Sequence, residues 1–416
     1  MKLRYGVDER PGLGATLLYG LQWLMICIPV VLTSTFIAPV GEVVCFTQKL
    51  FAIMGATMIV QVLWGHRLPL VAGPATVLLM GVVAAAGQGY APQSIYPAMI
   101  IGGAVVTLLA LSGLLRHLLP IFTPRIVVAI VVLIAFTMSK PIVGMIFSDV
   151  AHQGTVMVFA LVCIGAMAFA NKVLRGIWKS MVVIVAMSLG ALIYYCITGF
   201  PSQLTSDTIV PSLILQEMKL DAGVLLAFCF CYIALLINEV GSVQALGDMV
   251  QAKNMAGRQK RGMVLTGIVN MLCGAMGVPG AVDYSLSPGI VASTSCASRF
   301  TIIPAAVAMI ILSLCPPAVS FLLTIPTPVM GIVLLYLMAT QVAAGLHMMQ
   351  ENKSTSTFMD ALILAIPIMF TVIMSFAPQS AISAIPTLLR PIVGNSFVMG
   401  IIIILILEHI LLRNKR

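Results

Sequence analysis

Charged residues are scarce in this chain of 416 residues: Asp, Glu, Lys and Arg together make up 8%, while hydrophobic residues make up 60%. A water-soluble domain devotes about a quarter of its residues to charge. A surface with so few charges cannot stay dispersed in water, so the solvent of this chain is lipid. The composition therefore excludes a soluble protein. It predicts an all-α polytopic membrane protein, because helices satisfy their own backbone groups in a bilayer.

Motifs for catalysis, nucleotide binding and metal binding are also missing. The nine cysteines form no C-x-x-C pair, and we find no Walker motif, Gly-rich nucleotide loop or metal-ligand cluster. These absences predict a protein that is not an enzyme and has neither a cofactor nor a disulfide framework. A transporter without an ATP-binding domain has to be driven by an ion gradient.

Apolar windows of about twenty residues predict about fourteen transmembrane helices. If both ends are cytoplasmic, 18 of the 22 basic residues lie on the cytoplasmic side, and the exceptions are Lys49, Lys140, Lys219 and Arg390. This positive-inside bias explains the net charge of +9 without a nucleic-acid partner. We expect a multi-pass protein of the cell inner membrane with cytoplasmic tails at 1–13 and 413–416.

The predicted spans divide into two sets of seven, at 14–199 and 222–412. Seven is an odd number, so the second set enters the membrane from the opposite side, as in the inverted repeats of secondary transporters. The third span, 68–88, and the tenth, 281–296, carry helix breakers: Gly73 and Pro74 in the third, Pro288 and Gly289 in the tenth. We expect both spans to be half strand and half helix, side by side at a midplane cavity.

Two carboxyl groups, those of Glu239 and Asp283, fall deep within predicted spans. A charged group at that depth is costly and marks a functional-site candidate. Two structural alternatives stay open: Glu239 bonding a neighbouring helix, and Asp283 capping backbone N–H groups freed by the break. Asp360 lies near a span end and is expected to reach water. The five histidines also fall at span ends, so no histidine proton relay is predicted.

Four segments of the chain resemble the nucleobase–ascorbate transporter family, the nucleobase:cation symporters that include bacterial uracil and xanthine permeases. The opening GVDERPGLGATLLYGLQWL is similar to the family's V-x-E-x-P-P…L-Q-H, with Trp23 where His is usual. LPLVAGPATVLL is similar to P-x-x-x-G-S-S-F and retains Gly73. NEVGSVQALG resembles the eighth-span motif, and the spacing from Gly289 to Thr294 fits the tenth-span signature. The resemblance covers nearly the whole chain.

The chain departs from the family at the residues that contact the substrate. Alignment on Gly241 places Asn238 at the family's substrate-binding Glu, with Glu239 one residue later, and leaves open which of the two fills that role. In the tenth span Leu286 replaces Glu or Gln, and Ser287 replaces Asn. The resemblance therefore implies the fold and the transporter class more firmly than the substrate.

By resemblance, the chain divides into a core domain (14–115 and 222–323) and a gate domain (119–199 and 326–412), through which family members often form a homodimer. The resemblance also implies a substrate site between the two breaks and the eighth span. Its expected contacts are Asn238, Glu239, Ala75, Thr76, Tyr284, Ser285, Leu286 and Ser287. Glu239 and Asp283 are the expected proton-coupling residues, with Glu239 preferred.

The expected function is secondary active symport of a nucleobase of the xanthine, urate or uracil class with a proton, and sodium is the alternative coupling ion. A second hypothesis is a small-anion transporter of the sulfate or bicarbonate type on the same fold, since Leu286 lacks the polar group and half-helix N-termini attract anions. A channel or a receptor is a third class, less compatible with a fourteen-span inverted repeat.

Overall fold

The computed structural model describes residues 3–39, 41–114, 123–174, 178, 181–199, 218–284, 287–351, 355, 357–386 and 389–411. This part of the chain is mostly α-helical and contains two short strands. The first half comprises α1 (Leu13–Leu32), α2 (Val43–Leu63), β1 (Ala72–Pro74), α3 (Thr76–Gly87), α4 (Pro92–Ser112), α5 (Pro124–Thr137), α6 (Ser139–Ile146), α7 (Gln153–Val173) and α8 (Val182–Thr198).

The second half repeats this order of long helices, a strand and shorter helices. It comprises α9 (Ala222–Met249), α10 (Met255–Ala275), β2 (Ala281–Asp283), α11 (Ser287–Thr294), α12 (Ile302–Ser313), α13 (Pro316–Leu322), α14 (Thr327–Glu351), α15 (Phe358–Ser375), α16 (Gln379–Ser383), α17 (Arg390–Val393) and α18 (Ser396–Ile406). A π-helical turn, Leu407–Leu411, follows α18.

Within the described residues, eight helices are long and apolar enough to cross a membrane, and the bent pair of α12 and α13 raises the count to nine. Three shorter apolar helices, Thr76–Gly87, Val182–Thr198 and Ser396–Leu411, add to these. The chain is thus a polytopic membrane protein, as its composition predicts. The figure of fourteen spans stays a prediction, because length and composition identify fewer helices.

The two strands pair with each other in the interior of the molecule. They run antiparallel, with Ala72 opposite Asp283 and Pro74 opposite Ala281. Two flanking hydrogen bonds extend the ladder: the Ala75 N–H donates to Gly280 O at 2.7 Å, and the Tyr284 N–H donates to Val71 O at 2.8 Å. Each strand leads into a helix, β1 into α3 and β2 into α11.

The helices pack in two groups around this strand pair. In one, α4 packs along α10, α2 along α12, and α9 against α3 and α4. In the other, α14 packs against α5, α6, α7 and α8, while α15 packs against α18 and α5. The strand pair lies within the first group, where β1 contacts α1 and α2 and β2 contacts α9 and α10.

The N-terminal segment from residue 4 onward packs against the chain that follows α11. The Arg4 N–H donates to Ser295 O at 2.8 Å, and the Ala297 N–H donates to Tyr5 O at 3.0 Å. The Ser298 hydroxyl donates to Glu9 O at 2.6 Å. This part of the predicted tail at 1–13 is therefore anchored to the body of the protein. The predicted C-terminal tail, 413–416, lies outside the described residues.

Asp360 is not near water, contrary to the expectation from its position at a span end. It is 1% exposed, and one carboxylate oxygen lies 2.9 Å from Nη2 of Arg125. Its other oxygen accepts the Thr357 N–H at 3.0 Å, closing a capping box at the start of α15. Arg125 also reaches Glu408 at 3.3 Å. The expectation was wrong because this helix end is covered by α5 and the C-terminal turn.

Candidate functional site

Glu239 lies on α9 and faces the interior of the first helix group, with 1% of its side chain exposed. Its Oε1 accepts a hydrogen bond from the Thr266 hydroxyl of α10 at 2.7 Å. Its Oε2 accepts the backbone N–H of Asp283 in β2 at 2.9 Å. The carboxyl group of Glu239 therefore links α9 and α10 to β2. It also accepts the Asp283 N–H, which points away from β1 and has no partner in that strand.

The Asp283 side chain faces a histidine instead of a backbone N–H. Its Oδ2 lies 3.1 Å from Nε2 of His66, and both residues are fully buried. Among the described residues, neither carboxylate oxygen of Asp283 has a donor in full hydrogen-bond geometry. In the described part of the chain, Asp283 therefore caps no backbone N–H, and Glu239 provides the acceptor for the N–H of β2.

His66 lies at the end of a span, as expected for the five histidines, but it belongs to this buried group. Although it follows the end of α2, it is 0% exposed, because the chain turns inward there toward β1. Its Nδ1 accepts the Leu68 N–H at 2.9 Å. A neutral imidazole bonded in this way carries its proton on Nε2, the nitrogen that faces Asp283. The only sequence signal was its place a few residues before a broken segment.

Gln61 and Thr266 extend this set of buried groups. The Gln61 amide donates to the Thr266 hydroxyl at 3.2 Å, and its oxygen accepts the backbone N–H of His66 at 3.4 Å. We call His66, Asp283, Glu239, Thr266 and Gln61 the buried carboxyl cluster. The Glu239 and Asp283 side chains are also close enough to hydrogen bond with each other. Two carboxyl groups can do so only if one of them carries a proton.

Side chains satisfy the other backbone groups that the breaks leave free. The Asn270 amide donates to Ala281 O at 2.9 Å, and the Val71 N–H donates to the Ser287 hydroxyl at 3.0 Å. The Tyr284 hydroxyl donates to Pro74 O at 2.6 Å. The short strands therefore persist at depth, because unpaired backbone groups there would cost several kcal/mol each.

Gly73, which the family motif retains, has a steric role here. A Cβ at this position would lie 2.5 Å from the ring of Tyr284 and 2.8 Å from Val30. Only glycine lets the Tyr284 ring cross β1 at this distance. The close approach places the tyrosine at the edge of a cavity.

This cavity lies between the strand–helix junctions and α14. Its polar lining comes from the end of α1, from the first residue of α3, from Tyr284 and from α14: Thr33, Ser34, Thr76, Tyr284, Thr340 and Gln341. The rest of its described lining is apolar: Val30, Leu79, Met138, Leu334, Leu337, Met338 and Ala344. None of the described lining residues is charged.

The predicted site residues separate into three places. Thr76 and Tyr284 line the cavity. Ala75 and Ser287 are buried beside it, at the end of β1 and the start of α11. Glu239 and Asp283 come together in the buried carboxyl cluster. Ser285 and Leu286 lie outside the described residues.

Asn238 and Glu239 do not share one environment. Asn238 is half-buried and is not among the described residues that line the cavity. Neighbouring residues on a helix point about 100° apart. Glu239 therefore faces β2 and α10, while Asn238 faces another side of α9.

A helical bundle with two antiparallel strands buried beside a carboxyl cluster defines a polytopic membrane transporter. The chain belongs to the Permease family, whose model matches residues 14–380. This match confirms the resemblance to the nucleobase–ascorbate transporters and their bacterial relatives.

Relatives span most of the chain at low identity. CPE0397 of Clostridium perfringens, described as a purine permease, is 23% identical and aligns over 99% of this chain and 93% of its own. Nucleobase-ascorbate transporter 12 of Arabidopsis thaliana is 24% identical over 86% of this chain and 59% of its own. The xanthine permease XanQ of Escherichia coli is 23% identical over 58% of this chain and 55% of its own.

Solved structures of anion transporters share the fold. The transmembrane domain of a cyanobacterial bicarbonate transporter, BicA, superposes with a TM-score of 0.60 at 14% identity, covering 89% of this chain and 98% of that one. The murine anion transporter Slc26a9, in its inward-facing state, superposes with a TM-score of 0.64 at 11% identity, covering 95% of this chain and 69% of that one. At these identities the likeness establishes the fold alone.

Proposed function

We propose that this chain is a secondary active transporter that imports a nucleobase of the xanthine, urate or uracil class with a proton across the cell inner membrane. The observation that carries the proposal is the pair of buried carboxyl groups joined to the strand that borders the cavity. Glu239 bonds the backbone of β2, and β2 leads directly to Tyr284 in the cavity lining. Proton binding and substrate binding would thereby act on the same strand.

The cavity lining suits an uncharged planar heterocycle. Hydroxyl and amide groups from Thr76, Tyr284 and Gln341 offer donors and acceptors, which a base edge can match. The first backbone N–H groups of α3 begin at Thr76 and add further donors. We propose that these groups, with the backbone near Ala75 and residues 285–287, contact the base. Asn238 would join them if α9 moves toward the cavity during transport.

The antiparallel pairing of β1 and β2 supports the inverted repeat. Two copies related by a two-fold axis in the membrane plane place their equivalent segments antiparallel, and Gly73 opposite Val282 would mark that axis. We propose fourteen spans, with the strand–helix segments as the third and the tenth. The cavity has α1, α3 and Tyr284 on one side and α14 on the other. This division fits a core domain moving against a gate domain.

Transport by the purified full-length protein in proteoliposomes tests the proposal. We expect labelled xanthine, urate or uracil to accumulate when the outside is acidic, and a protonophore to abolish the accumulation. If accumulation follows a sodium gradient instead, sodium and not the proton is the coupling ion. Competition by unlabelled bases, sulfate and bicarbonate decides the substrate class. Inhibition by sulfate or bicarbonate but by no base would establish the anion alternative, which the shared fold with BicA raises.

A further inference from the structure

We infer that His66 is a positioning residue for proton coupling: its Nε2, 3.1 Å from Oδ2 of Asp283, carries the proton that stabilises ionised Asp283 beside Glu239. This inference rests on the proposed proton-coupled uptake and deepens it. It assigns a role to a residue outside the segments that carry the family resemblance. It also means that Glu239 and Asp283 share one proton. The sequence had instead suggested that Glu239 carries the proton and that Asp283 has a structural role.

The two carboxyl groups differ in the donors available to their ionised forms. Glu239 accepts from the Thr266 hydroxyl and from the Asp283 N–H. Among the described residues outside the pair, Asp283 has His66 at ion-pair distance, with Nε2 3.1 Å from Oδ2, while a proton on Glu239 gives it a donor within the pair. Hydrogen bonding to the ionised form of an acid favours that form, and a buried carboxylate without a donor is strongly disfavoured. Without His66, ionised Asp283 would depend on the proton of Glu239 alone, so the pair would release that proton less readily.

The surroundings of His66 keep the imidazole neutral while it serves as a donor. Its Nδ1 is occupied by the Leu68 N–H, so a second ring proton would break that bond. Two arginines of α10 lie nearby: Arg258 donates to the His66 and Arg67 carbonyls at 2.9 and 2.7 Å, and Arg261 donates to Gly65 O at 3.2 Å. These cations oppose a positive ring, while Glu239 and Asp283 are the acids that face it. The proton that is bound and released therefore belongs to the carboxyl pair.

Two substitutions separate the two nitrogens of His66. In His66→Gln the amide nitrogen occupies roughly the place of Nε2 and keeps a donor toward Asp283. In His66→Asn the side-chain oxygen keeps the acceptor for the Leu68 N–H but does not reach Asp283. Neither side chain titrates. If the donor is what matters, the Gln variant behaves like the wild type and the Asn variant does not.

The first measurement is the pH titration of the protonated-carboxyl infrared band of the purified protein, with the Asp283 contribution identified by subtracting Asp283→Asn. We expect His66→Asn to move the midpoint to higher pH by about one unit or more, a tenfold change in proton affinity. We expect His66→Gln to leave the midpoint within about half a unit of the wild type. Both variants should elute as folded protein with an unchanged profile on size exclusion.

The second measurement compares base uptake driven by a pH gradient with equilibrium exchange of the base, which needs no gradient. His66→Asn should lose accumulation about tenfold or more and retain exchange, while His66→Gln should keep both. An unshifted midpoint in His66→Asn, or a shift of the same size in His66→Gln, would overturn the inference. If the wild type transports no base, the proposed function fails, yet the infrared titration still decides the role of His66.

Discussion

Glu239 and Asp283 show how strongly the role of a buried acid depends on its neighbours. Both lie deep within predicted spans, yet their contacts differ. Glu239 accepts the Asp283 N–H of β2, whereas the Asp283 side chain faces His66. The two groups share their surroundings and can hydrogen bond only when one is protonated, which supports the proposal that proton coupling belongs to the pair.

Replacement of Glu239 by Gln tests the coupling role directly. The amide keeps an acceptor for the Asp283 N–H but removes one titrating group from the pair. We expect accumulation of labelled base against its gradient to be lost, while equilibrium exchange remains measurable. The matched control is Asp248→Asn on the same helix, an exposed acid whose carboxylate accepts from the Gln244 amide. Full pH-driven accumulation by Glu239→Gln would show that Glu239 does not carry the proton.

Gly280 tests the packing that holds β2 in place. A Cβ there would lie 1.7 Å from Oδ1 of Asn270, the residue whose amide bonds Ala281 O. We expect Gly280→Ala to destabilise the protein by about 1–3 kcal/mol, the usual cost of overpacking. The readout is the melting temperature in detergent. Gly165→Ala on α7, where nothing lies within 4 Å, should leave the melting temperature unchanged or higher, and equal effects would refute the steric explanation.

At the scale of elements, a three-residue strand pair is stable at depth only because other elements satisfy its outer edges. Donors and acceptors come from α9, α10 and α11, through Glu239, Asn270 and Ser287. A two-stranded ribbon of this length is not stable alone. The strand–helix junctions are thus a product of the surrounding bundle.

A second link between elements is the ion pair at the start of α5. Arg125 joins Asp360 of α15 to Glu408 of the C-terminal turn, and Asp360 is 1% exposed. Breaking a buried pair from one side leaves an uncompensated charge and costs about 3–5 kcal/mol. We expect Arg125→Met to lower the yield of folded protein and its melting temperature. Adding Asp360→Leu should restore most of the loss, and a double variant no better than the single one would contradict this account.

At the scale of the whole molecule, three of the arginines assigned to the cytoplasm meet at the end of α2: Arg258, Arg261 and Arg299. Arg258 and Arg261 bond the carbonyls of residues 65–67. Arg299 pairs with Asp8 at 2.8 Å and also bonds Val62 O. Lys49, one of the four exceptions to the charge bias, bonds Met276 O at the other end of α10. The charge asymmetry of the sequence is therefore a spatial asymmetry of the fold, which supports the proposed orientation.

Reporter fusions test this orientation. A green fluorescent protein joined after residue 416 should fluoresce, and alkaline phosphatase inserted after residue 219 should be active, because the first lies in the cytoplasm and the second outside. Phosphatase inserted after Lys253, in the turn before α10, is the control and should be inactive. The reverse pattern would mean that both termini are outside.

The sequence by itself determined that the chain lies in lipid and that it is helical, and it predicted two broken spans. The reason is physical: a chain with 8% charged residues can bury its surface only in lipid, and adjacent Gly and Pro, as at 73–74 and 288–289, favour a break in a helix. The family motifs added the transporter class. These properties depend on composition and on local spacing, so they can be predicted without knowing which elements meet.

Only the tertiary structure decided which polar groups meet. His66 and Asp283 are separated by more than two hundred residues, and they come together because the chain turns inward after α2 and β1 pairs with β2. The helical phase of α9 then sends Glu239 toward that meeting point and Asn238 away from it. Asp360 is buried for the same kind of reason, since the elements that cover it come from distant parts of the chain. Contacts between distant segments leave no local signal in the sequence.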